Sequence, residues 1–331
     1  MAIAVPEAKH RIRTKGVECT ICGESIPRGS YITLDNGISF SGPELLFLEL
    51  AGSMHPLEHL MLGHELCGSF SRDPLDPYNG PVTYGVRPVT NAGRIRDFLS
   101  RTRFARCIDE AWANASILDD NAWSPTESLI AALLRLPMDS FGFEFGELEL
   151  NPRVEKAVEL PGARGSRVPD IMFKDSSVGI NYDGLLHFDL DSIAKAGIEL
   201  GANPNSTEGE ASLGLAISGV RAKLVDDIRR NRELATSGLT VFPVLKEDLY
   251  VKGGFEQLVQ VIVEALEQVD NRDCSLQRII LSRERLREER RQMILSLLPG
   301  THVGDVRPGR FIGGYPVATG KCEIIEYWFE L

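Results

Sequence analysis

Apolar positions cluster in two short stretches separated by a polar turn, and this pattern predicts a β-hairpin. Residues 168–173 and 178–182 have the composition of strands, and the Asp-Ser-Ser segment between them favours a turn. Asp170 lies in the first strand. Asn181 and Asp183 share one face of the second strand, because successive side chains alternate. The pattern therefore predicts that polar and acidic side chains meet at one end of the hairpin.

Helical signals flank the hairpin on both sides. Ser124, Pro125 and Glu127 fit a capping box at the start of an apolar helix. After the hairpin, residues 220–238 predict a charged helix and residues 239–245 predict a strand. The order helix, hairpin, helix and strand indicates an α/β sandwich.

The regions before and after this core predict different architectures. Residues 31–40 read as a hairpin around Asp-Asn-Gly, residues 72–93 as a loop and residues 94–116 as a helical block. Two helices and a terminal strand are predicted beyond residue 250, at residues 255–269, 276–298 and 322–331. We therefore divide the chain into an N-terminal α+β domain (1–122), an α/β domain (123–250) and a C-terminal helical extension (251–331).

Composition narrows the class of protein. The 331 residues are 43% hydrophobic and 25% charged, which is near the globular average. The net charge of −11 repels a phosphate backbone, so nucleic-acid binding requires a local basic surface. The start lacks a signal peptide's apolar core, and acidic residues or prolines interrupt later apolar stretches. We expect a soluble, cytoplasmic protein with no membrane partner, whose six scattered cysteines stay reduced.

The acids of the hairpin suggest metal chemistry. Mg²⁺ prefers carboxylate and water oxygens and can activate water for phosphodiester cleavage. Asp170 and Asp183 are candidate ligands, Glu127 is a candidate third ligand, and His187 could assist proton transfer. A structural interpretation stays open, in which Glu127 only caps its helix, His187 is a loop histidine and Asp183 belongs to a turn.

The same residues resemble a known family. The segments PDIMF, INYDGLLHFD and DDIRRNRELATSGLTVFPVLKEDLY look like the PD-(D/E)XK nuclease superfamily, in particular its domain related to very-short-patch-repair endonucleases. The resemblance covers about residues 124 to 250. It matches Pro169, Asp170, Asp183, Gly184, His187, Asp227, Arg230, Leu234, Gly238 and Val241. It implies a restriction-endonuclease-like mixed sheet flanked by helices, with Mg²⁺ as cofactor and DNA as substrate.

The region before residue 124 has a resemblance of its own. The segments SGPELLFLELA, HELCGSFS, RPVTN and SPTESLIAALLRLP are similar to the AbiEi-like region of actinobacterial abortive-infection proteins. That region is the antitoxin and regulator half of toxin-antitoxin pairs. The resemblance implies a cognate toxin or another partner protein, and a homo-oligomer is also open.

Two departures from the nuclease pattern leave two functions open. Asn181 stands where the superfamily expects an acid, and Asp183 stands where a Lys is frequent. Asn brings no charge, and the absent Lys removes the usual partner of the attacking water. The first function is a Mg²⁺-dependent DNA endonuclease in phage defence or a mobile element. The second is an inactive nuclease-fold regulator or antitoxin that binds DNA or a partner protein.

Arginines provide candidate phosphate contacts. Arg229, Arg230 and Arg232 lie on the charged helix and could bind a substrate phosphate or neutralise the acids of the site. The arginine-rich stretch 278–291 alternates with glutamates, which favours a solvated helix face. Docking of a partner chain on that stretch is an alternative.

Cysteine spacing raises one further candidate. Cys19 and Cys22 form half of a zinc motif, and His64 with Cys67 would complete a Cys₃His set. Buried thiols are the alternative explanation, because the His64 segment reads as core packing.

Overall fold

The computed structural model describes most of the chain. The described residues are 2–5, 9, 11–15, 18–21, 26–35, 39–102, 107–155, 166–183, 197–198, 201 and 207–298. The strand predicted at residues 322–331 lies outside them.

Groups of short strands and groups of helices follow one another along the described residues. The strands are β1 (Ala2–Val5), β2 (Glu18–Ile21), β3 (Tyr31–Thr33), β4 (Ser39–Ser41), β5 (Phe70–Arg72), β6 (Val82–Tyr84), β7 (Leu148–Leu150), β8 (Val154–Glu155), β9 (Ser166–Arg167), β10 (Ile171–Phe173), β11 (Val178–Asp183) and β12 (Thr240–Leu245). The helices are α1 (Pro43–Leu50), α2 (Pro56–Leu66), α3 (Ala92–Arg101), α4 (Ile108–Ser116), α5 (Pro125–Arg135), α6 (Thr207–Thr236), α7 (Lys246–Tyr250), α8 (Gly254–Asp270), α9 (Ser275–Ser282) and α10 (Glu284–Leu297). Within these bounds no helix combines the length and the apolar character needed to cross a bilayer.

Four strands form the main sheet, in the order β12-β11-β10-β7. The central strand β10 runs antiparallel to both β7 and β11, and β12 lies parallel to β11. A parallel neighbour needs a crossover connection, and α6 lies within that connection. The predicted hairpin of β10 and β11 and the predicted strand β12 are confirmed, and the chain has a mixed α/β fold.

Helix α5 occupies the centre of the core. Ser124 caps it by accepting a hydrogen bond from the Glu127 N–H, as its sequence predicts. Every residue from Glu127 to Arg135 is buried, because α2 packs on one side and the loop before β7 on another. In that loop the Phe143 N–H donates to the Leu133 carbonyl at 2.9 Å. The C-terminal end of α5 is therefore attached to the loop that leads into the sheet.

Several local predictions are confirmed and two need correction. The hairpin predicted at residues 31–40 exists as β3 paired with β4. The segment 72–93 is not all loop, because β6 within it pairs with β5. The helical block predicted at 94–116 ends first at Arg101, where the extended backbone of Thr102 stops α3.

One buried cluster extends from Leu45 in α1 to Leu298 after α10. It crosses the division predicted at residue 122 without interruption, and that division stays a prediction. Helices α8, α9 and α10 contribute buried residues to the same cluster, so they are part of the body of the fold. The helix predicted at residues 276–298 is broken at Arg283, whose extended backbone separates α9 from α10.

A buried arginine attaches α10 to the core. The Arg290 side chain is fully buried and donates to the Phe141 carbonyl at 2.6 Å and to Glu256 Oε1 at 2.8 Å. Its guanidinium also stacks over the Phe143 ring, 3.9 Å from the ring centroid. The prediction of a solvated arginine face is therefore wrong for Arg290, although it holds for Arg285, whose side chain is 88% exposed.

Replacing Arg290 with Met should lower the free energy of unfolding by about 3–5 kcal/mol, because Glu256 would stay buried without its partner. The double variant Arg290→Met/Glu256→Leu should lose less than the sum of the two single variants. Urea unfolding measures all three. Arg285→Met, which breaks an exposed pair, is the control and should change stability by less than about 1 kcal/mol. Strictly additive losses in the double variant would contradict a coupled buried pair.

Candidate functional site

The end of the hairpin is closed by side chains where its backbone ladder stops. Ile171 and Ile180 are the last paired residues, so Asp170 lies opposite Asn181. The Asp170 N–H donates to Asn181 Oδ1 at 3.0 Å, and the Tyr182 N–H donates to Asp170 Oδ2 at 2.6 Å. These two side chains therefore replace the backbone acceptors that the ladder would otherwise supply.

The amide at position 181 is suited to this arrangement. Asn181 is 1% exposed, and its oxygen must face Asp170 because the Asp170 N–H can only donate. A carboxylate at 181 would place a second negative charge beside Asp170. The Asn181 Nδ2 is buried and has no hydrogen-bond partner among the described residues. Asn181 thus presents a donor at the position where a metal-binding acid was expected.

Glu127 lies beside this edge and is surrounded by donors. The Trp123 N–H and Asn151 Nδ2 donate to its Oε2 at 3.0 and 2.8 Å, and the Ser124 hydroxyl donates to its Oε1 at 2.9 Å. Burial raises the pKa of the Glu127 carboxyl, while these hydrogen bonds and the charge of Arg230 oppose the rise. The carboxyl therefore acts as a buried acceptor at the start of α5.

Two asparagines connect Glu127 to the hairpin, and sequence reasoning missed both. Asn121 and Asn151 have positive φ angles of 73° and 50°, a conformation that Asn tolerates better than most residues. Asn151 Nδ2 donates to the Asn121 carbonyl at 2.9 Å, and Asn121 Nδ2 donates to the Leu150 carbonyl at 3.0 Å. The Asn151 N–H also donates to the Asp170 carbonyl at 2.8 Å. Glu127 and Asp170 are therefore linked through one residue.

The three predicted arginines of α6 separate into two groups. Arg230 is half-buried and close enough to Glu127 to lower its pKa, whereas Arg229 and Arg232 are exposed. The inner side of α6 also carries Glu233, which forms a buried ion pair with Arg167 at β9. Arg230 thus faces the candidate site, and the other two face solvent.

The remaining predicted site residues are only partly described. Asp183 ends β11, and the strand period places it on the same face as Asn181. The side chain of Asp183 and all of His187 lie outside the described residues. Within the described part of the chain, no group of three or more His, Cys, Asp and Glu side chains could hold a metal ion.

The described donors do not fit Mg²⁺. A magnesium ion needs carboxylate oxygens that are not already used by protein donors. Glu127 accepts hydrogen bonds on both oxygens, Asp170 binds a backbone N–H, and Asn181 offers an N–H group. Magnesium binding stays a prediction that these three side chains do not support.

The zinc candidates have other partners where they are described. His64 Nδ1 lies 3.1 Å from Ser128 Oγ, and the Cys67 thiol lies near Asp120. Burial raises the pKa of Cys67, which favours the neutral thiol. The side chain of Cys19 and all of Cys22 lie outside the described residues, so the zinc set stays a prediction.

An open cleft of about 680 Å³ borders the asparagine pair. Its wall contains acidic and basic side chains and the aromatic ring of Trp123, which is 43% exposed. The charged and amide-bearing lining residues are Arg96, Asp119, Asp120, Asn121, Glu149, Asn151 and Arg153. The cleft lies on the α3 side of the Glu127 network, so ligands there would contact the network without reaching Asn181.

Comparisons with known proteins returned no match: no family model, no curated protein and no solved structure resembles the chain at a significant level. The interpretation of the site therefore depends on its own geometry.

Removing the Asn151 side chain should destabilise the fold because Glu127 would lose a donor. We expect Asn151→Gly, which tolerates the positive φ, to lower the free energy of unfolding by about 1.5–3 kcal/mol. Asn151→Ala should lose about 1–2 kcal/mol more, since Ala is strained in the left-handed region. Urea unfolding separates the two contributions. Wild-type stability in Asn151→Gly would contradict a structural role for this side chain.

Buried histidines predict loss of stability in acid. Burial lowers the pKa of His64 to about 4, below the unfolded value of 6.5, and the charge of Arg135 acts in the same direction. Between pH 6.5 and 4 the unfolded chain binds the proton first, so stability falls as pH falls. His64→Asn should reduce that slope by at most about 1.4 kcal/mol per pH unit, one proton's worth. Unfolding curves at several pH values measure the slope, and an unchanged slope would contradict a buried neutral His64.

Proposed function

We propose that the chain is a DNA-binding regulator built on a nuclease-like fold, and that it does not cleave DNA. The observation that carries the proposal is the hydrogen bond between the Asp170 N–H and the buried Asn181 side chain. In this hydrogen bond, the side chain at the position of an expected metal-binding acid connects the two strands of the hairpin. Glu127 is used in the same way by Trp123 and Asn151.

The order of elements supports a PD-(D/E)XK-like assignment for this domain. Helix α5, the β10–β11 hairpin, helix α6 and strand β12 follow one another as the resemblance implied. The sheet brings Asp170 and Asn181 together, and Asn151 links Glu127 to the same edge. A shared fold does not imply shared chemistry, so this arrangement is compatible with loss of catalysis.

Exposed arginines supply the local basic surface that DNA binding requires in an acidic chain. Arg229 and Arg232 are exposed on α6, one helical turn apart, and Arg230 lies between them in sequence on the side that faces Glu127. Phosphate contacts by arginine position a protein on DNA without reading its sequence. We infer that α6 approaches the backbone beside the closed site.

A Mg²⁺-dependent endonuclease is the second candidate. The observation in its favour is that β11 ends at Asp183, two residues after Asn181, which lies opposite Asp170. Two acids on one sheet edge could bind a metal if Asp170 exchanged its backbone partner for the ion. In that case Asp170 would be indispensable for cleavage.

Two assays on the full chain separate the candidates. Fluorescence anisotropy with a labelled duplex at low salt should show binding that Arg229→Gln weakens, with the salt slope reduced by about one. Plasmid DNA incubated with protein and Mg²⁺ or Mn²⁺ should remain supercoiled. Arg285→Gln removes an exposed arginine on α10 and should bind DNA like the wild type.

The absence of cleavage and the binding of DNA would each be contradicted by a different result. Metal-dependent nicking that disappears in Asp170→Asn would overturn the silent regulator and support the endonuclease. Failure to bind any duplex, with intact folding, would overturn DNA binding and leave a partner protein, such as a cognate toxin, as the ligand.

A further inference from the structure

One edge of the main sheet carries backbone groups that have no hydrogen-bond partner among the described residues. Strand β7 ends the sheet on that side, and the Asn151 N–H and the Glu147 carbonyl, just outside β7, pair with residues next to β10. Backbone groups alternate along an antiparallel strand, so those of Leu148 and Leu150 point away from β10. The Leu150 carbonyl accepts from Asn121 Nδ2 at 3.0 Å. The Leu148 N–H, the Leu148 carbonyl and the Leu150 N–H stay unpaired within the described part of the chain.

The opposite edge of the sheet, at β12, is closed to further strands. The Thr240 N–H bonds toward β11, so the backbone groups of Val241, Pro243 and Leu245 lie on the free edge. Pro243 has no N–H, and the Leu245 N–H donates to Asp248 Oδ2 at 2.8 Å. Proteins commonly block exposed edges in such ways, because an open edge pairs with other strands. Strand β7 contains neither a proline nor a capped N–H.

The open cleft of about 680 Å³ runs along the β7 edge. Leu148, Glu149 and Leu150 line one side of it, and the start of α3 and residues 118–121 line another. A strand added to a sheet lies about 4.8 Å from its neighbour, so its backbone would occupy this cleft. The side chains of Leu148 and Leu150 are buried on one face of the sheet, whereas Glu149 is exposed on the other. The edge therefore suits an extended segment in which apolar residues alternate with acidic or polar ones.

We propose that residues 322–331 of the same chain occupy the cleft as a further strand paired with β7. A strand of the sequence CEIIEYWFEL has one entirely apolar face, formed by Ile325, Tyr327, Phe329 and Leu331. The order Ile-Glu-Tyr at 325–327 repeats the apolar–Glu–apolar order of β7.

The connection from α10 is long enough for this pairing. Residues 299–321 span up to about 75 Å when extended. A compact chain of this length is about 50 Å across, so the segment can reach any part of the surface. The inference does not depend on DNA binding, because a row of alternating N–H and C=O groups is matched by a peptide backbone.

Amide hydrogen exchange in the full chain, followed at individual amides by NMR, tests the pairing. In the wild type the Leu148 and Leu150 N–H groups should be protected. Alternate N–H groups of an added strand face β7, so the double variant Glu326→Pro/Tyr327→Pro removes one of them in either register. Both β7 amides should then exchange faster by a factor of about ten or more. The Glu149 N–H, which faces β10, should keep its protection.

Two controls separate loss of pairing from other effects of the prolines. Ala318→Pro lies outside the proposed strand and should leave the exchange of the β7 amides unchanged. A synthetic peptide of residues 321–331 added to the double variant should restore protection, and the same peptide carrying the two prolines should not. Far-UV circular dichroism checks that each variant is folded.

Three results would overturn the proposal. The first is equal exchange of the Leu148 and Leu150 amides in the wild type and the double variant. The second is exchange of these amides in the wild type at the rate of a free peptide. The third is protection that appears only as the chain dimerises in sedimentation velocity, which would assign the added strand to a second copy.

Discussion

The buried carboxyl of Glu127 is the point on which the arrangement of the sheet edge depends. A carboxylate taken out of water is costly unless donors surround it. Trp123, Ser124 and Asn151 supply those donors, and Asn151 in turn binds Asn121 and Asp170. One acceptor thereby aligns the start of α5, the end of β7 and the start of β10.

This network explains why acidic side chains can meet at one edge of the sheet without being free to bind a metal. Of the predicted metal ligands, Glu127 and Asp170 are linked through Asn151, and their oxygens already accept hydrogen bonds from the protein. Asn181 is compatible with that use because a neutral amide can accept from the Asp170 N–H without adding a like charge. The amide of Asn181 therefore stabilises the end of the hairpin.

Part of the fold and of the candidate site could be predicted, because it depends on residues that are close together in the sequence. The cap at Ser124, the β10–β11 hairpin and strand β12 follow from neighbouring residues and were all found. Glu127 and Asp170 were identified as site residues from the same signals. Asn121 and Asn151 were missed because their only local signal is tolerance of a positive φ, which many loop asparagines share.

The sequence by itself determined the elements and the candidate acids, because capping, turn formation and side-chain period act over a few residues. Only the tertiary structure decided how those groups are used. Glu127 meets Asn151 across 24 residues, and Arg290 meets Glu256 across 34, so neither pairing has a local signature. The tertiary structure also decided which charged side chains are buried. Arg290 is fully buried because the folded core surrounds it, whereas Arg285, on the same helix, is exposed to solvent.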